Sequence, residues 1–282
     1  MKIGAHVSAA GGVQNAPKNA AKLGLECFQF FSRPPQGGPA PELTDEIVAD
    51  FKETCDRHGF DDRYIHTPFI LNLAHKDKTV RRRTAGIIRT DLERATTLAC
   101  PAIMTHLGSA SGIGDENKGQ EFAIEGVKEI LDGYEGSARL LLEISAGAGM
   151  VIGDTFEEMS SILKGVNDDR VGICFDTAHA FASGYDLRTK EAVTDTMRKF
   201  DAIIGLEKLE LSHANDSKVE LSSRKDRHEH IGEGLIGLEG FRAIMSHHKF
   251  RKINFILETP SDDDYANDID LLKKMRDDIT RS

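Results

Sequence analysis

Arg139-Leu140-Leu141-Leu142-Glu143-Ile144 is an unbroken apolar run that closes on an acid. Thr155-Phe156-Glu157-Glu158 follows with the pattern of a capping box. Val171-Gly172-Ile173-Cys174-Phe175-Asp176 is a second apolar run, again closing on an acid. Continuous rather than alternating apolar character fits a strand buried on both faces. A capping box opens a helix, and a helix between two such strands is the crossover that parallel pairing requires. Outward from this unit the same alternation recurs. Strand-like runs are expected at residues 2–6, 27–31, 64–66, 102–106, 139–144, 171–176, 208–213 and 254–258. The stretches between them are helical in pattern. Over residues 44–58, Ile47, Val48, Phe51 and Cys55 share one face, and Gly59 sits where a C-cap glycine belongs. Thr259-Pro260 stops the last run before a final helix. Eight such pairs predict an α/β fold of one domain, residues 1–282: a single (β/α)8 TIM barrel.

At 282 residues the length suits that barrel, and 39% hydrophobic residues suffice for a large core. No apolar run approaches a membrane span, and Met1-Lys2-Ile3-Gly4-Ala5-His6 has no signal-like apolar region. Cys27, Cys55, Cys100 and Cys174 form no CxxC pair, which fits reduced thiols and a cytoplasmic location. A net charge of −10 argues against a non-specific nucleic-acid binder, although bound divalent ions would turn an acidic cleft into an anion receptor.

The strand ends carry the chemistry. His66, His106, Glu143, Asp176, His213 and Glu258 close six consecutive runs, and His179, Asp226 and His228 lie in the loops that follow the sixth and seventh. In a barrel these ends meet at one mouth, the C-terminal face. Singly, a strand-end His is more often a hydrogen-bonded structural residue, and Asp176 before Thr177 reads equally as a helix cap. Jointly, so many buried carboxylates without cations would be costly, and nine donors exceed the needs of one zinc. Two or three ions are expected. Lys218, Arg224, Lys225 and Arg227 flank the set with charge suited to a phosphate. His6, in Gly4-Ala5-His6-Val7-Ser8-Ala9-Ala10-Gly11-Gly12, reads as a substrate contact, a residue orienting a ligand, or a core histidine. Arg81-Arg82-Arg83 reads as a solvated helix face.

These motifs resemble the endonuclease IV family of apurinic/apyrimidinic DNA endonucleases, and the resemblance spans essentially the whole chain. It rests on Gly4–Gly12, on His66-Thr67-Pro68-Phe69-Ile70-Leu71-Asn72-Leu73, on Glu143-Ile144-Ser145-Ala146-Gly147-Ala148-Gly149, on Asp176-Thr177-Ala178-His179-Ala180-Phe181, on the stretch from His213 to His228, and on Leu257-Glu258-Thr259. It implies three Zn2+ per chain, with Mn2+ admissible at one site. His66, His106 and Glu143 would hold the first ion. Glu143, Asp176, His213 and Glu258 would hold the second, and His179, Asp226 and His228 the third. Glu143 would be the catalytic residue, bridging two ions and positioning the attacking water. His6, Phe69, Lys218 and Arg227 would contact substrate. The implied substrate is double-stranded DNA with abasic sites or blocked 3′ ends, cut on the 5′ side of the abasic sugar by a monomer.

The chain departs from the family pattern in places. Phe69 stands where Tyr is usual, Ala178 where Cys or Ser is usual, and Phe175 and Ser212 where aliphatic residues are usual. The loop Arg33-Pro34-Pro35-Gln36-Gly37-Gly38 lacks the Trp of the usual DNA wedge, leaving Arg33 or Gln36 to substitute in part. The competing expectation is a divalent-metal sugar isomerase or epimerase on the same barrel, which has no need of the set at His179, Asp226 and His228.

Overall fold

In the computed structural model, which describes residues 1–260 and 265–281, eight parallel strands close into a barrel. They are β1 (Ile3–His6), β2 (Cys27–Phe31), β3 (Arg63–His66), β4 (Ala102–Thr105), β5 (Arg139–Glu143), β6 (Val171–Asp176), β7 (Leu209–His213) and β10 (Asn254–Leu257). Each pairs with its neighbour in chain order, and β10 closes the ring between β7 and β1. Outside the ring, β8 (Asp216–Ser217) and β9 (His228–Glu229) pair antiparallel as a small flap. The helices are α1 (Asn15–Lys22), α2 (Asp45–His58), α3 (Lys78–Thr97), α4 (Glu116–Leu131), α5 (Phe156–Val166), α6 (Thr177–Ser183), α7 (Lys190–Ile203), α8 (Gly237–Ser246) and α9 (Tyr265–Arg281).

Local signals behave as their chemistry dictates. Thr44 Oγ1 accepts from Ile47 N at 3.3 Å to start α2, and Gly59 ends it at a φ of 70° that disfavours a side chain. The capping box at α5 forms by half. Thr155 Oγ1 accepts from Glu158 N, but the Glu158 carboxylate turns away to accept from Gly153 N at 2.8 Å. Expected strand limits shift by a residue at several ends. Lys2 and Lys208 lie outside the ladder and Arg63 within it. His106 and Glu258 do not end strands; each sits one residue beyond β4 and β10. At the mouth Glu258 N donates to Asn215 Oδ1 (2.8 Å) instead of to a ladder carbonyl. His228, expected in a loop, lies on β9.

The barrel interior is layered because alternate residues of each strand point inward. At the N-terminal end Arg139 and Glu210 form a two-pronged ion pair with both contacts at 2.6 Å, beside Tyr64, whose hydroxyl accepts from Asn254. An irregularity opposite Ile173/Cys174 turns Glu210 inward as well as Leu211. The middle layer is apolar: Cys27, Met104, Leu141, Cys174, Leu211 and Ile256. Side chains such as Leu141 and Ile256, fully buried, each contribute about 1.5–3 kcal/mol. The top layer is polar. Every strand of the ring, or the residue just past it, supplies one member: His6, Gln29, His66, His106, Glu143, Asp176, His213 and Glu258.

Candidate metal centre

Glu143 is completely buried at the centre of this layer. Its Oε2 lies 3.1 Å from His66 Nε2 and 3.3 Å from His106 Nε2. Its Oε1 lies 2.8 Å from His213 Nδ1 and 3.4 Å from His179 Nδ1. His213 Nδ1 is also 3.2 Å from Glu258 Oε2 and 3.9 Å from Asp176 Oδ2. Toward the flap, His179 Nε2, His228 Nε2 and Asp226 Oδ1 form a triangle with every side 3.3 Å.

Local structure explains why these groups converge. Asp176 ends β6 and also caps α6, accepting from His179 N at 2.8 Å, so the two readings of this residue coexist. The cap sets His179 one turn in, on the side facing the mouth. The flap is fastened at both ends. The buried Asp216 carboxylate accepts from the backbone N–H groups of Ser217, Gly232, Gly234, Ile236 and Gly237. Arg224 donates to Gly147 O and Asp154, drawing the turn that bears Asp226 against the β5 loop. Asp226 remains 54% exposed at the rim.

The outer nitrogens of four rings are spoken for. His66 Nδ1 meets Thr67 O (2.6 Å), His179 Nδ1 meets Ile144 O (3.0 Å), His228 Nδ1 meets Glu258 O (3.0 Å) and His213 Nε2 meets Gln29 Oε1 (2.8 Å). A carbonyl can only accept, so each outer nitrogen donates. Each inner nitrogen then turns a lone pair toward carboxylate oxygens. Lone pairs converging on carboxylates repel unless a cation lies between them. This donor chemistry fits divalent metal, as do the groupings within 4.8 Å of His66, His106 and Glu143, of Glu143, Asp176, His213 and Glu258, and of Asp176, His179 and His228.

Without metal, protons take the cation's place. Burial opposes charging at His66, His179, His213 and His228. It is outweighed by Glu143 at His66 and by Asp176 with Asp226 at His179. At His213, Cys174 together with Glu258 and Glu143 outweighs it. His66 is raised, His179 and His213 are raised well above the usual histidine range, and His228, through Asp176 and Asp226, rises to about 9. Burial also opposes ionisation of Glu143, Glu258 and Asp226, yet the facing imidazoles hold all three below the usual carboxylate range. At His106 and His6 burial wins, and both are lowered.

The nine expected ligands thus meet at one mouth. The expected substrate residues divide. Phe69 stands 57% exposed with Ile70 beside it at the rim. Lys218, 3.5 Å from Glu229, and Arg227, donating to Asp226 O, lie exposed on the flap. His6 is interior, 3.6 Å from Glu258, and its Nε2 is buried without a partner. Arg33 is not a wedge. It is buried against α3, donating to Asp91 Oδ1 at 2.8 Å, while Arg94 grips Ser32 O and Pro41 O. A long cation next to the buried Asp91 is drawn inward, and the loop is tied down by it. Arg81 is half-buried, its guanidinium 3.6 Å above the Phe122 ring, while Arg82 and Arg83 are exposed as expected of a solvated face. Sequence reasoning misses two residues: Asn215, which donates to Asp176 Oδ2 at 2.7 Å, and Gln29. The inward alternation Cys27, Gln29 and the pairing of Gln29 with His6 across β1 and β2 carry the signal for the latter.

A closed parallel barrel whose C-terminal mouth gathers groups of His, Asp and Glu that could hold metal has the build of a metal-using barrel enzyme. In keeping with that class, residues 17–275 match the family described as xylose isomerase-like TIM barrel. Within it the chain is 39% identical to a probable endonuclease 4 of Campylobacter curvus, covering 97% of this chain and 98% of that one. It is 40% identical to a probable endonuclease 4 of Chlorobium phaeobacteroides, covering 98% of both. The crystal structure of endonuclease IV from Thermus thermophilus superposes with a TM-score of 0.89 at 29% identity, covering 99% of this chain and 100% of that one. The chain belongs to the endonuclease IV family.

Proposed function

We propose that this protein is a zinc-dependent endodeoxyribonuclease of base excision repair. It hydrolyses the phosphodiester on the 5′ side of an abasic site in double-stranded DNA, leaves a 3′-hydroxyl, and trims blocked 3′ ends. The observation that carries the reading is the convergence of inner imidazole lone pairs on carboxylates at the barrel mouth, in a chain of this family. His66, His106 and Glu143 would hold one ion. Glu143, Asp176, His213 and Glu258 would hold a second, and His179, Asp226 and His228 a third, with manganese admissible at one of them. When bound, the ions supply charge that polarises the phosphoryl group and offsets the charge growing on the departing 3′ oxygen.

The protein's own groups do the rest. Glu143, held ionised by the facing imidazoles in metal-free protein, is a carboxylate at the centre of the layer and so is placed to orient a water and accept its proton. Buried Asp176 is fixed by Asn215 and by the α6 cap, which keeps it from rotating out of the layer. Phe69 offers a face for stacking where a base is missing, and Lys218 and Arg227 offer cations to flanking phosphates. The triangle at His179, Asp226 and His228 is superfluous to a sugar isomerase or epimerase, and so favours the nuclease. The reading also takes the protein as a cytoplasmic monomer. Its four cysteines are buried free thiols, and among the described residues no helix is long and apolar enough to cross a membrane. The test is a duplex with one synthetic abasic site and a separate 3′-phosphate duplex, incubated with zinc-loaded protein whose metal content is measured. Single 5′-side incision with a 3′-hydroxyl and more than two ions per chain are expected. A saturated stoichiometry of one ion, or no incision by fully loaded protein, refutes the proposal.

A further inference from the structure

Seven members of the polar top layer are ionisable, and Gln29 is the neutral one. It comes from β2, which supplies none of the ligands, yet it is fully buried and bonded to three other members. Gln29 Nε2 donates to Glu258 Oε1 at 2.5 Å and lies 2.9 Å from His6 Nδ1. Gln29 Oε1 lies 2.8 Å from His213 Nε2. The amide cannot be turned round. Reversed, its oxygen would face the Glu258 carboxylate at hydrogen-bond distance and its NH2 would face the outer nitrogen of His213. Oxygen therefore faces His213, and His213 Nε2 must carry a proton. With the outer proton fixed, Nδ1 is the nitrogen left to face Glu143 and Glu258. The backbone carbonyls that perform this service for His66, His179 and His228 have no counterpart at His213; a side chain does it instead.

We propose that Gln29 is a positioning residue of the metal centre, which locks His213 in the Nε2–H form and at the same time holds Glu258 by its Oε1. Resting on the metal-centre reading above, the inference adds a residue to it and predicts a specific failure. Partners of this kind, removed from beneath a ligand, typically cost 10–100-fold in metal affinity. The loss falls on the ion shared by His213 and Glu258, while the set at His179, Asp226 and His228, which Gln29 does not touch, keeps its metal.

The experiment uses full-length, zinc-loaded protein with 15N-labelled histidine. Gln29→Met keeps length and apolar bulk but neither donates nor accepts. Gln29→Glu keeps an acceptor for His213 and loses the amide donor to Glu258. Two quantities are read: the nitrogen shifts that report the His213 tautomer, and the rate of zinc loss to a chelator, resolved by ion. Gln29→Met is expected to release one ion about 10–100-fold faster and to lose the Nε2–H pattern at His213. Gln29→Glu is expected to keep that pattern, because an oxygen still faces His213 Nε2, and to release the ion faster than wild type, because its second oxygen faces the Glu258 carboxylate. If Gln29→Met does not fold, Gln29→Asn serves in its place, because its shorter amide cannot reach His213 and Glu258 together. Unchanged shifts and zinc release in the variant that lacks the contact overturn the proposal, as does loss of the Nε2–H pattern at His213 in Gln29→Glu. Wild-type protein that binds no zinc overturns the metal reading and this inference with it, which separates the two failures.

Discussion

Replacing Glu143 by Gln changes almost no volume and removes one negative charge from the centre of the site. Four imidazole nitrogens lie 2.8–3.4 Å from its two oxygens, so the change reaches every ring around it. Two of the donor groupings contain Glu143, and the triangle at the flap does not. Glu143→Gln should therefore lose the two ions of the barrel layer preferentially and keep the third. Activity should fall by at least ~100-fold, the scale of a lost positioned acid–base group, or about 2.7 kcal/mol in the barrier. Cleavage of the abasic duplex is followed on denaturing gels while metal content is measured on the same samples, with zinc added back to saturation. Near-normal cleavage by a fully loaded variant would falsify the assigned role. Uniform loss of all three ions would refute the division of the site into a barrel layer and a flap.

The protonation pattern predicts opposite pH effects with and without metal. In metal-free protein His228, raised to about 9, contributes stability fully present below the unfolded value near 6.5. That contribution fades as pH climbs through 9, so the melting temperature should fall over this window. Zinc must displace the same protons, so its apparent affinity should rise over the window, and loading at pH 7 should acidify a weak buffer; proton-neutral loading contradicts this. Zinc should raise the melting temperature by mass action, and an unchanged melt after verified metal removal tells against the site. Phe69→Ala should weaken discrimination for the abasic duplex, by about 1–3 kcal/mol, yet spare trimming of an exposed 3′-phosphate. Lys218→Ala and Arg227→Ala should reduce both reactions and flatten the salt dependence; equal loss of both activities in Phe69→Ala shows that the ring supports the metal site instead. Asp91→Asn leaves the buried Arg33 guanidinium without its carboxylate and should cost about 3–5 kcal/mol, read by denaturant melts, with an effect under about 1 kcal/mol contradicting the clamp.

The alternation of apolar runs and amphipathic stretches is enough to read the barrel, because burial on both faces leaves an unmistakable composition in each strand. The candidate donors are legible for a related reason: a strand that is apolar up to the mouth advertises the acid or imidazole that ends it or stands one residue past it. What escapes notice lacks such contrast. Gln29 is neutral and sits inside Cys27-Phe28-Gln29-Phe30-Phe31, and only the two-residue period places it level with His6. Arg33 misleads because a cation in a Pro- and Gly-rich loop looks exposed, while its partner Asp91 lies 58 residues away. His228 reads as a loop residue because a two-residue pairing is too short to leave a pattern.

Glu258 follows β10, the strand whose pairing with both β7 and β1 seals the ring. His66 and His106 come from the first half of the chain, and the remaining seven donors from the second. A nascent chain therefore carries an incomplete set of donors until its last strand docks. Closure of the barrel and completion of that set are one event. With zinc held as proposed, full metal uptake would mark the end of folding.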